Sequence, residues 1–298
     1  MGLNLTGLST YTDQNSGILI GRAILGADLL NYANVQPGYS AGSVDINILN
    51  LNNMVFGNRA CGWTDTGTVS YERVTATVSS IQSKQSLCLN DLRGYWLSAN
   101  MEPGAFTEQY PLEQFLADEV VKATRLSFET HLSTQIFAGF TAANGSVLCN
   151  AATASITSST ALTVCNALID CLPNSVRSRE DLHIYMSYPS FRSLNQALVT
   201  ANYFHYDANA GNQVGSGMGQ YVLIPGTNVK AVPVAGFGSS QRVICGPKEH
   251  FVVITGLTDD QDKVSIWYSK DNDQIRMLSA FRAGFGAVYS SFSENGRA

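Results

Sequence analysis

The chain has 298 residues, of which 45% are hydrophobic, so it can form one large domain or two with a real core, and disorder of the whole chain is excluded. Charged residues make up only 14%, against about 25% in an ordinary soluble domain, which favours a surface partly covered by other protein. A β-rich chain coated with Ser, Thr and Asn is the alternative. The formal net charge of −5 argues against a protein that grips nucleic acid directly.

The first 55 residues are rich in Gly, Asn and Ser, with one short helical pattern over residues 17–32 and a turn at Pro37-Gly38. Their apolar content is too small for a core of their own, so they predict an arm that lies on another surface. No basic region followed by an apolar stretch marks a secretory signal. The longest apolar run, ILIGRAILGADLL, is interrupted by Arg22 and Asp28, so we predict no membrane contact.

Residues 62–90 are dominated by Thr, Val, Ser and Tyr in rough alternation, which predicts two antiparallel strands. Polar residues occupy nearly every other position, so this hairpin has no deep core of its own. An isolated two-stranded hairpin is barely stable in water. We therefore expect it to need a partner, either elsewhere in the chain or on a neighbouring molecule. Deletion of residues 64–88 is expected to leave a subunit that folds but does not assemble.

Residues 112–140 predict one long helix, which begins just after Pro111 and contains no Gly or Pro before residue 139. Its length would be about 43 Å at 1.5 Å per residue. Its apolar residues form two groups on nearly opposite sides, at 100° per residue: Leu112, Phe115, Leu116, Val120 and Ala123, then Phe128, Leu132, Ile136 and Phe140. The helix is therefore expected to leave one set of neighbours and meet another. Two shorter helices are the alternative.

The remaining sequence predicts a mixed α/β region and then closing strands. ALTVCNALIDCLPNSV predicts a helix that stops at Pro173, DLHIYMS a buried strand, and YPSFRSLNQALVTANYF a helix opened by Pro189. YVLIPGTNVKAVPV and QRVICGPKEHFVVITGL predict strands broken by Pro-Gly and Gly-Pro turns. The last segment contains three strand-like runs separated by Asp and Asn turns.

No motif in the sequence supports chemistry. The six cysteines form no CxxC pair and are predicted to be reduced thiols, and the four histidines are scattered. His183 fits a core position, His205 lies among aromatic residues, and GNQVGSGMGQ is interpreted as a surface loop because no Lys-Ser/Thr follows it. The cluster Asp259, Asp260 and Asp262 is interpreted as a solvated turn. We predict no enzyme activity and no catalytic, cofactor or metal site.

In their order, these segments resemble the major capsid proteins of tailed double-stranded DNA phages, the Hong Kong 97-like fold. PLEQFLADEVVKATRLSFETHLSTQIFAGF resembles the spine helix, TVSYERVTATVSSIQSKQSLCLN the extended loop, and DLHIYMSYPSFRSLNQAL the strand and helix of the axial domain. KVSIWYSKDNDQIRMLSAFRAGFGAVY, with its G-x-G, resembles the closing strands. The resemblance implies an α+β fold with an N-terminal arm (1–55), an extended β-hairpin loop (56–100), a peripheral domain with the spine helix (101–148), an axial domain (149–262) and closing strands (263–298).

The resemblance also implies a function and partners. Such a protein assembles with itself, as hexamers and pentamers, into the icosahedral head of a virion in the host bacterial cytoplasm. A separate scaffolding protein, a portal and a decoration protein are the other implied partners, and packaged DNA is contacted only weakly. Contacts between subunits are expected at Tyr71, Arg73, Lys84 and Arg93. Some members crosslink through a lysine, for which Lys84 is the only donor in this region, although a solvated lysine is the favoured interpretation. An encapsulin-like shell and a monomeric β-rich binding protein are the alternatives.

Overall fold

A computed structural model of the chain describes residues 18–19, 22–23, 27–37, 42–50, 70–88, 112–140, 146–149, 155–201, 221–256 and 263–295. Its helices are α1 (Leu112–Gly139), α2 (Ala161–Cys171), α3 (Asn174–Arg177) and α4 (Tyr188–Thr200). Its strands are β1 (Asn34–Pro37), β2 (Gly42–Asn50), β3 (Ser70–Cys88), β4 (Val147–Leu148), β5 (Leu182–Met186), β6 (Val222–Leu223), β7 (Lys230–Pro233), β8 (Ile244–Pro247), β9 (Phe251–Thr255), β10 (Lys263–Ser269), β11 (Gln274–Ala287) and β12 (Ser293–Glu294).

The first sheet joins distant parts of the sequence in the order β1-β9-β11-β3-β2, and β10 also pairs with β11. Strand β11 is its centre: it pairs antiparallel with β3 along most of its length and, on its other side, with β10 and then β9. Helix α1 packs on this sheet, and the apolar residues of helix and sheet share one core. The α+β prediction is therefore confirmed.

The second sheet has the order β4-β12-β8-β5-β7-β6 and a core of its own, to which α2 and α4 contribute. All five residues of β5 are buried, as its apolar sequence predicts. Helix α4 begins with Pro189 in its first turn, where the fixed φ of proline suits a helix and its missing N–H leaves no bond unmade. Helix α2 ends at Cys171, before Pro173.

Helix α1 is a single helix of 28 residues, as predicted, and its buried face turns along its length. Residues buried at every fourth position form the stripe Leu116, Val120, Thr124, Phe128, Leu132, Ile136 and Phe140. Each step of four residues advances about 40° beyond a full turn, so the stripe rotates by about 200° between Leu116 and Ile136. Ala123, predicted to belong to the first apolar group, is exposed.

The predicted hairpin over residues 62–90 is corrected. Residues 70–88 form one continuous strand, β3, whose first half pairs with β2 and whose second half pairs with β11. The hairpin is therefore made by β2, which lies inside the predicted arm, and the first half of β3. Because β3 is an inner strand of the first sheet, deletion of residues 64–88 is now expected to disrupt the fold of the subunit.

Two predicted turns also differ. The Gly-Pro segment at the end of β8 is not a hairpin turn, because the chain passes from β8 in the second sheet to β9 in the first. It carries the chain from one core to the other through a short 3-10 turn, Lys248–His250. The last strand-like runs form two long strands with a turn between Ser269 and Gln274, and β11 continues through both glycines to Ala287.

The prediction that all cysteines are reduced is wrong for two of them. The structure joins Cys149, next to β4, to Cys171, at the end of α2, in a disulfide with a Cα–Cα distance of 6.2 Å. This separation is within the range that a disulfide spans. Sequence spacing could not predict the pair because nothing in the spacing of 22 residues marks the two ends as neighbours. Cys88 is free and exposed, whereas Cys165 and Cys245 are free and buried.

Candidate assembly interface

A two-stranded ribbon extends from the first sheet. It consists of β2 paired antiparallel with residues 70–78 of β3, in a register that sets Gly42 opposite Val78 and Asn50 opposite Ser70. Pairing of β3 with β11 ends at Thr77 opposite Phe285. Within the described ranges, residues 70–76 therefore have β2 as their only strand neighbour. Such a ribbon gains little stability alone.

The surface of the ribbon combines an exposed aromatic ring with a neutralised charge pair. Tyr71 is 77% exposed. The Arg73 guanidinium donates a hydrogen bond to the Asp45 carboxylate, to which the Thr75 hydroxyl also donates, at 3.0 Å. The hydrogen bond from Arg73 is the main cause that lowers the pKa of Asp45, and the same bond raises the pKa of Arg73. The ion pair leaves the ribbon without a net charge at this point.

The base of the ribbon lies on two glycines of β11. A Cβ atom on Gly286 would come within 2.5 Å of Ile46 Cδ1 and 2.9 Å of Ala76 Cβ, and one on Gly284 would come within 2.7 Å of the Thr77 carbonyl oxygen. Only glycine therefore lets Ile46 reach across β3. A small core at this place, separate from the helix side, contains Val44, Ile46, Ala76, Val78, Val252 and Ile254. The two glycines of the G-x-G motif, Gly284 and Gly286, therefore leave the space in which the base of the ribbon packs.

The residues predicted to make contacts between subunits are not all brought together. Tyr71 and Arg73 lie on the ribbon and are exposed. Lys84 is exposed on the far half of β3, opposite Leu278, roughly 43 Å from Tyr71 along the strand. Arg93 lies outside the described residues. The sequence analysis missed β2 and Asp45, although the alternation of Val44, Ile46 and Ile48 with polar residues is a strand signal.

The middle of helix α1 is held to the segment before β1 by the buried carboxyl group of Glu129 and by an ion pair between Arg125 and Asp28. The Glu129 side chain, 3% exposed, accepts a hydrogen bond from the Asp28 backbone N–H at 2.6 Å, and Arg125 Nη2 donates to Asp28 Oδ1 at 2.7 Å. Burial raises the pKa of Glu129, while the Asp28 N–H and Arg125 oppose that rise. These contacts fix the segment before β1 to the helix.

The carboxyl end of α1 is anchored by a buried ion pair. Arg242 donates to the carbonyl oxygens of Phe137 and Phe140, both at 3.0 Å, which satisfies acceptors that a helix end leaves open. Its other partner is Glu294, at 2.6 Å, and the two side chains are only 15% and 0% exposed. The guanidinium also lies over the Phe137 ring. This cluster ties the helix to β12 of the second sheet.

The described residues offer no grouping suited to catalysis or metal binding. His183 Nδ1 lies 2.7 Å from the Asp181 carbonyl oxygen, and His250 Nδ1 lies 2.9 Å from Ser291 Oγ. Burial lowers the pKa of both histidines, which favours their neutral forms. Within the described ranges, no three His, Cys, Asp or Glu side chains could hold a metal ion, and no helix is long and apolar enough to cross a membrane. His205, GNQVGSGMGQ and the cluster Asp259, Asp260 and Asp262 lie outside these ranges.

A groove of about 1030 Å³ opens between the segment before β1 and helix α4. Asp28, Tyr32, Tyr188 and Arg192 contribute to its wall. No histidine or cysteine is among the described residues that line it, and Asp28 is already paired with Arg125. The described lining of the groove therefore offers neither a thiol nucleophile nor an imidazole base.

Comparison with known proteins gives matches of structure and none of sequence. No protein-family profile and no curated protein matches the chain. A virus-like particle from Pyrococcus furiosus has a TM-score of 0.52 at 11% identity, covering 96% of this chain and 99% of its own. The capsid of Cyanophage P-SCSP1u has a TM-score of 0.53 at 12% identity, covering 90% and 87%. The procapsid of satellite phage P4 has a TM-score of 0.52 at 13% identity, covering 93% and 89%.

The chain has the Hong Kong 97-like fold of phage capsid proteins. The matches cover at least 90% of this chain, so the likeness of fold extends over most of its length. The fold resemblance drawn from the sequence is thereby confirmed.

Proposed function

We propose that this chain is a major capsid protein that assembles into the icosahedral head shell around the double-stranded DNA genome of a tailed phage. The observation that carries the proposal is the fold, shared along nearly the whole chain with structures described as a virus-like particle, a phage capsid and a procapsid. The exposed ribbon supports it, because it presents the uncovered aromatic side chain of Tyr71 beside the Asp45–Arg73 ion pair. The proposed role is structural, and we assign no catalytic residue.

The proposed mechanism of assembly is burial of the ribbon and the N-terminal arm against neighbouring copies, in hexamers and pentamers. Tyr71 and Arg73 are the proposed contacts on the ribbon, and Lys84 and Arg93 are proposed contacts outside it. The first sheet with α1 is assigned to the peripheral domain, and the second sheet to the axial domain. This proposal departs from the expected bounds at β9, which lies within the expected axial range 149–262, and at β12, which lies within the expected closing strands 263–298. Permanent interfaces of this kind bury about 2,000 Å² or more, so many weak local contacts add up to a stable shell.

The proposal extends to partners and location. The net charge of −5 suits an inner wall that must not bind packaged DNA tightly, since each neutralised phosphate would add attraction. A separate scaffolding protein, a portal and a decoration protein are proposed partners. The mature protein is proposed to lie in the virion, after assembly in the cytoplasm of the host bacterium.

The first experiment is negative-stain electron microscopy of the expressed full chain, with and without a scaffolding protein encoded beside it. Closed shells or rings of subunits are expected. Strictly monodisperse monomer by gel filtration under every condition would contradict a shell function and favour the monomeric binding protein.

A second experiment removes the ribbon without removing the inner part of β3. Residues 46–74 are replaced by Asn-Gly, which joins Asp45 to Thr75, a pair that already lies opposite in the register, through a two-residue turn. A folded monomer that no longer assembles is expected. Heat-stable particles from this variant would refute the role assigned to the ribbon.

An encapsulin-like compartment is the less supported alternative, because the quoted structures are described as phage capsids and a virus-like particle. The two shells differ in content, so the same purified particles distinguish them. Nuclease-protected DNA in particles from infected cells supports the phage head, whereas a co-purifying enzyme cargo supports the compartment.

A further inference from the structure

The outer strands of the two sheets are protected in different ways. Strands β4 and β6 have two residues each, β1 has four and ends in Pro37, and β10 begins with Lys263. Short length, proline and lysine are the usual means by which proteins prevent an open edge from pairing with another chain. Strand β2 has none of them: it is nine residues long, GSVDINILN, with no proline, lysine or arginine.

The outer edge of β2 is open in the part of the chain that the structure describes. Its other edge pairs with β3 over all nine residues, so the hydrogen-bonding groups that point away from β3 meet no described strand. Its single charge, Asp45, is neutralised by Arg73. A long, neutral edge rich in Val and Ile attracts a further strand through backbone hydrogen bonds, and no charge on it selects an acidic or basic partner.

We infer that the outer edge of β2 pairs with the same edge of β2 in a second copy of this chain. The two strands run antiparallel about a two-fold axis at Ile46, the middle of Gly42–Asn50. This inference rests on the proposed shell function, which supplies many copies, and it names one contact between them.

Register and topology favour this pairing. With Ile46 opposite Ile46 of the second copy, Asp45 lies opposite Asn47, so no like charges face each other. Strands β9, β10 and β11 all lie on the far side of β3. In the part of the chain that the structure describes, the edge beyond β2 therefore carries no other strand of the first sheet, and two copies join into one continuous sheet through their ribbons. A two-fold contact of identical surfaces is the commonest form of self-association.

Disulfide trapping tests the register. In a background with Cys61→Ser and Cys88→Ser, one preparation carries Asp45→Cys and another carries Asn47→Cys. After mixing under assembly conditions and mild oxidation, the 45–47 dimer is expected on non-reducing gels at several times the yield of either preparation alone. Equal yields in the mixed and separate samples would overturn the pairing. If the 45–47 dimer forms but no shells do, the β2–β2 pairing is supported and the proposed shell function is contradicted. If shells form without this dimer, the shell function is supported and the pairing is contradicted.

A lysine pair tests the edge without cysteines. Ser43→Lys places a charge on the open edge strand, whereas Thr77→Lys places it directly opposite, on the inner strand of the same ribbon; both positions are exposed. In the proposed register residue 43 faces Leu49 of the second copy, so Ser43→Lys is expected to lower the yield of assembled protein at least tenfold, and Thr77→Lys less than twofold, with unchanged melting temperatures of the subunit. Equal losses would overturn the inference, because a contact through the face of the ribbon disturbs both positions alike.

Discussion

Neither helix α1 nor the β2–β3 ribbon can be stable by itself, and within the described residues only the helix is covered by other parts of the chain. The first half of α1 packs on β3 and β11, where Val120 and Thr124 face Ser83 and Met277. Its second half meets the turn at Phe237, whose ring lies 4.8 Å from that of Phe137. The ribbon beyond Thr77 finds no such cover among the described residues. A rotating apolar face indicates two sets of neighbours, and it does not indicate that either belongs to another molecule.

The largest expected effect is on the covered region. Phe128 is completely buried and its ring meets that of Phe281 edge-on at 5.3 Å. Phe128→Ala is expected to lower the free energy of unfolding of the subunit by about 4 kcal/mol, because it removes apolar contact and leaves a cavity. Urea unfolding of the unassembled subunit measures it. The control is Leu126→Ala, 59% exposed on the same helix, which is expected to change the value by less than about 0.5 kcal/mol.

The next effect lies where α1 meets the second sheet. Glu294→Leu leaves the Arg242 guanidinium in a nearly dry site without its carboxylate, and is expected to cost about 3 kcal/mol of unfolding free energy. The double variant Arg242→Met/Glu294→Leu is expected to recover part of this loss, because it removes the unpaired charge. A double variant that unfolds more easily than Glu294→Leu alone would show that the bonds from Arg242 to Phe137 and Phe140 dominate.

The sequence predicted the parts of the fold that depend on local pattern, and it failed where distant segments meet. Helix α1, strand β5 and the start of α4 at Pro189 follow from periodicity and proline placement, which act within a few residues. That β3 is one strand could not be seen, because its two halves have different partners, β2 and β11. The same limit hid the Asp45–Arg73 pair. The fold resemblance succeeded because it used the order of segments and needed no pairing.

At the base of the ribbon the expected effect is intermediate. Gly286→Ala inserts a methyl group against Ile46 and Ala76, and overpacking of this kind costs about 2 kcal/mol. Adding Ile46→Ala makes room, so the double variant is expected to lose less than the sum of the two single changes. Thermal melting of the subunit measures the loss, and the assembly yield reports displacement of the ribbon. Strictly additive losses would show that Ile46 does not lie over this glycine.

A smaller effect is expected on the pH dependence of the unfolding free energy, which involves Glu129 of helix α1 and not the ribbon. Because burial raises the pKa of Glu129, the proton on its carboxyl group is bound more tightly in the folded state than in the unfolded chain. Its contribution to stability is therefore complete below the unfolded value of 4.5 and is lost as the pH rises through the folded value. Glu129→Gln is expected to flatten the dependence of unfolding free energy on pH just above 4.5. Ribbon variants are expected to leave it unchanged, and a Glu129→Gln curve identical to that of the natural chain would contradict the assignment.

The smallest expected effect on the subunit is at Tyr71, where the contrast between the two regions is sharpest. A side chain that is 77% exposed contributes little to its own fold, so Tyr71→Ala is expected to change the unfolding free energy by less than about 0.5 kcal/mol. Buried tyrosines at an interface often contribute about 2 kcal/mol, so the concentration needed for assembly is expected to rise roughly tenfold or more. Light scattering against protein concentration measures this. Tyr188→Ala, at an exposed tyrosine on α4, is the control; an equal rise there would mean that exposure alone, and not the ribbon, sets the effect.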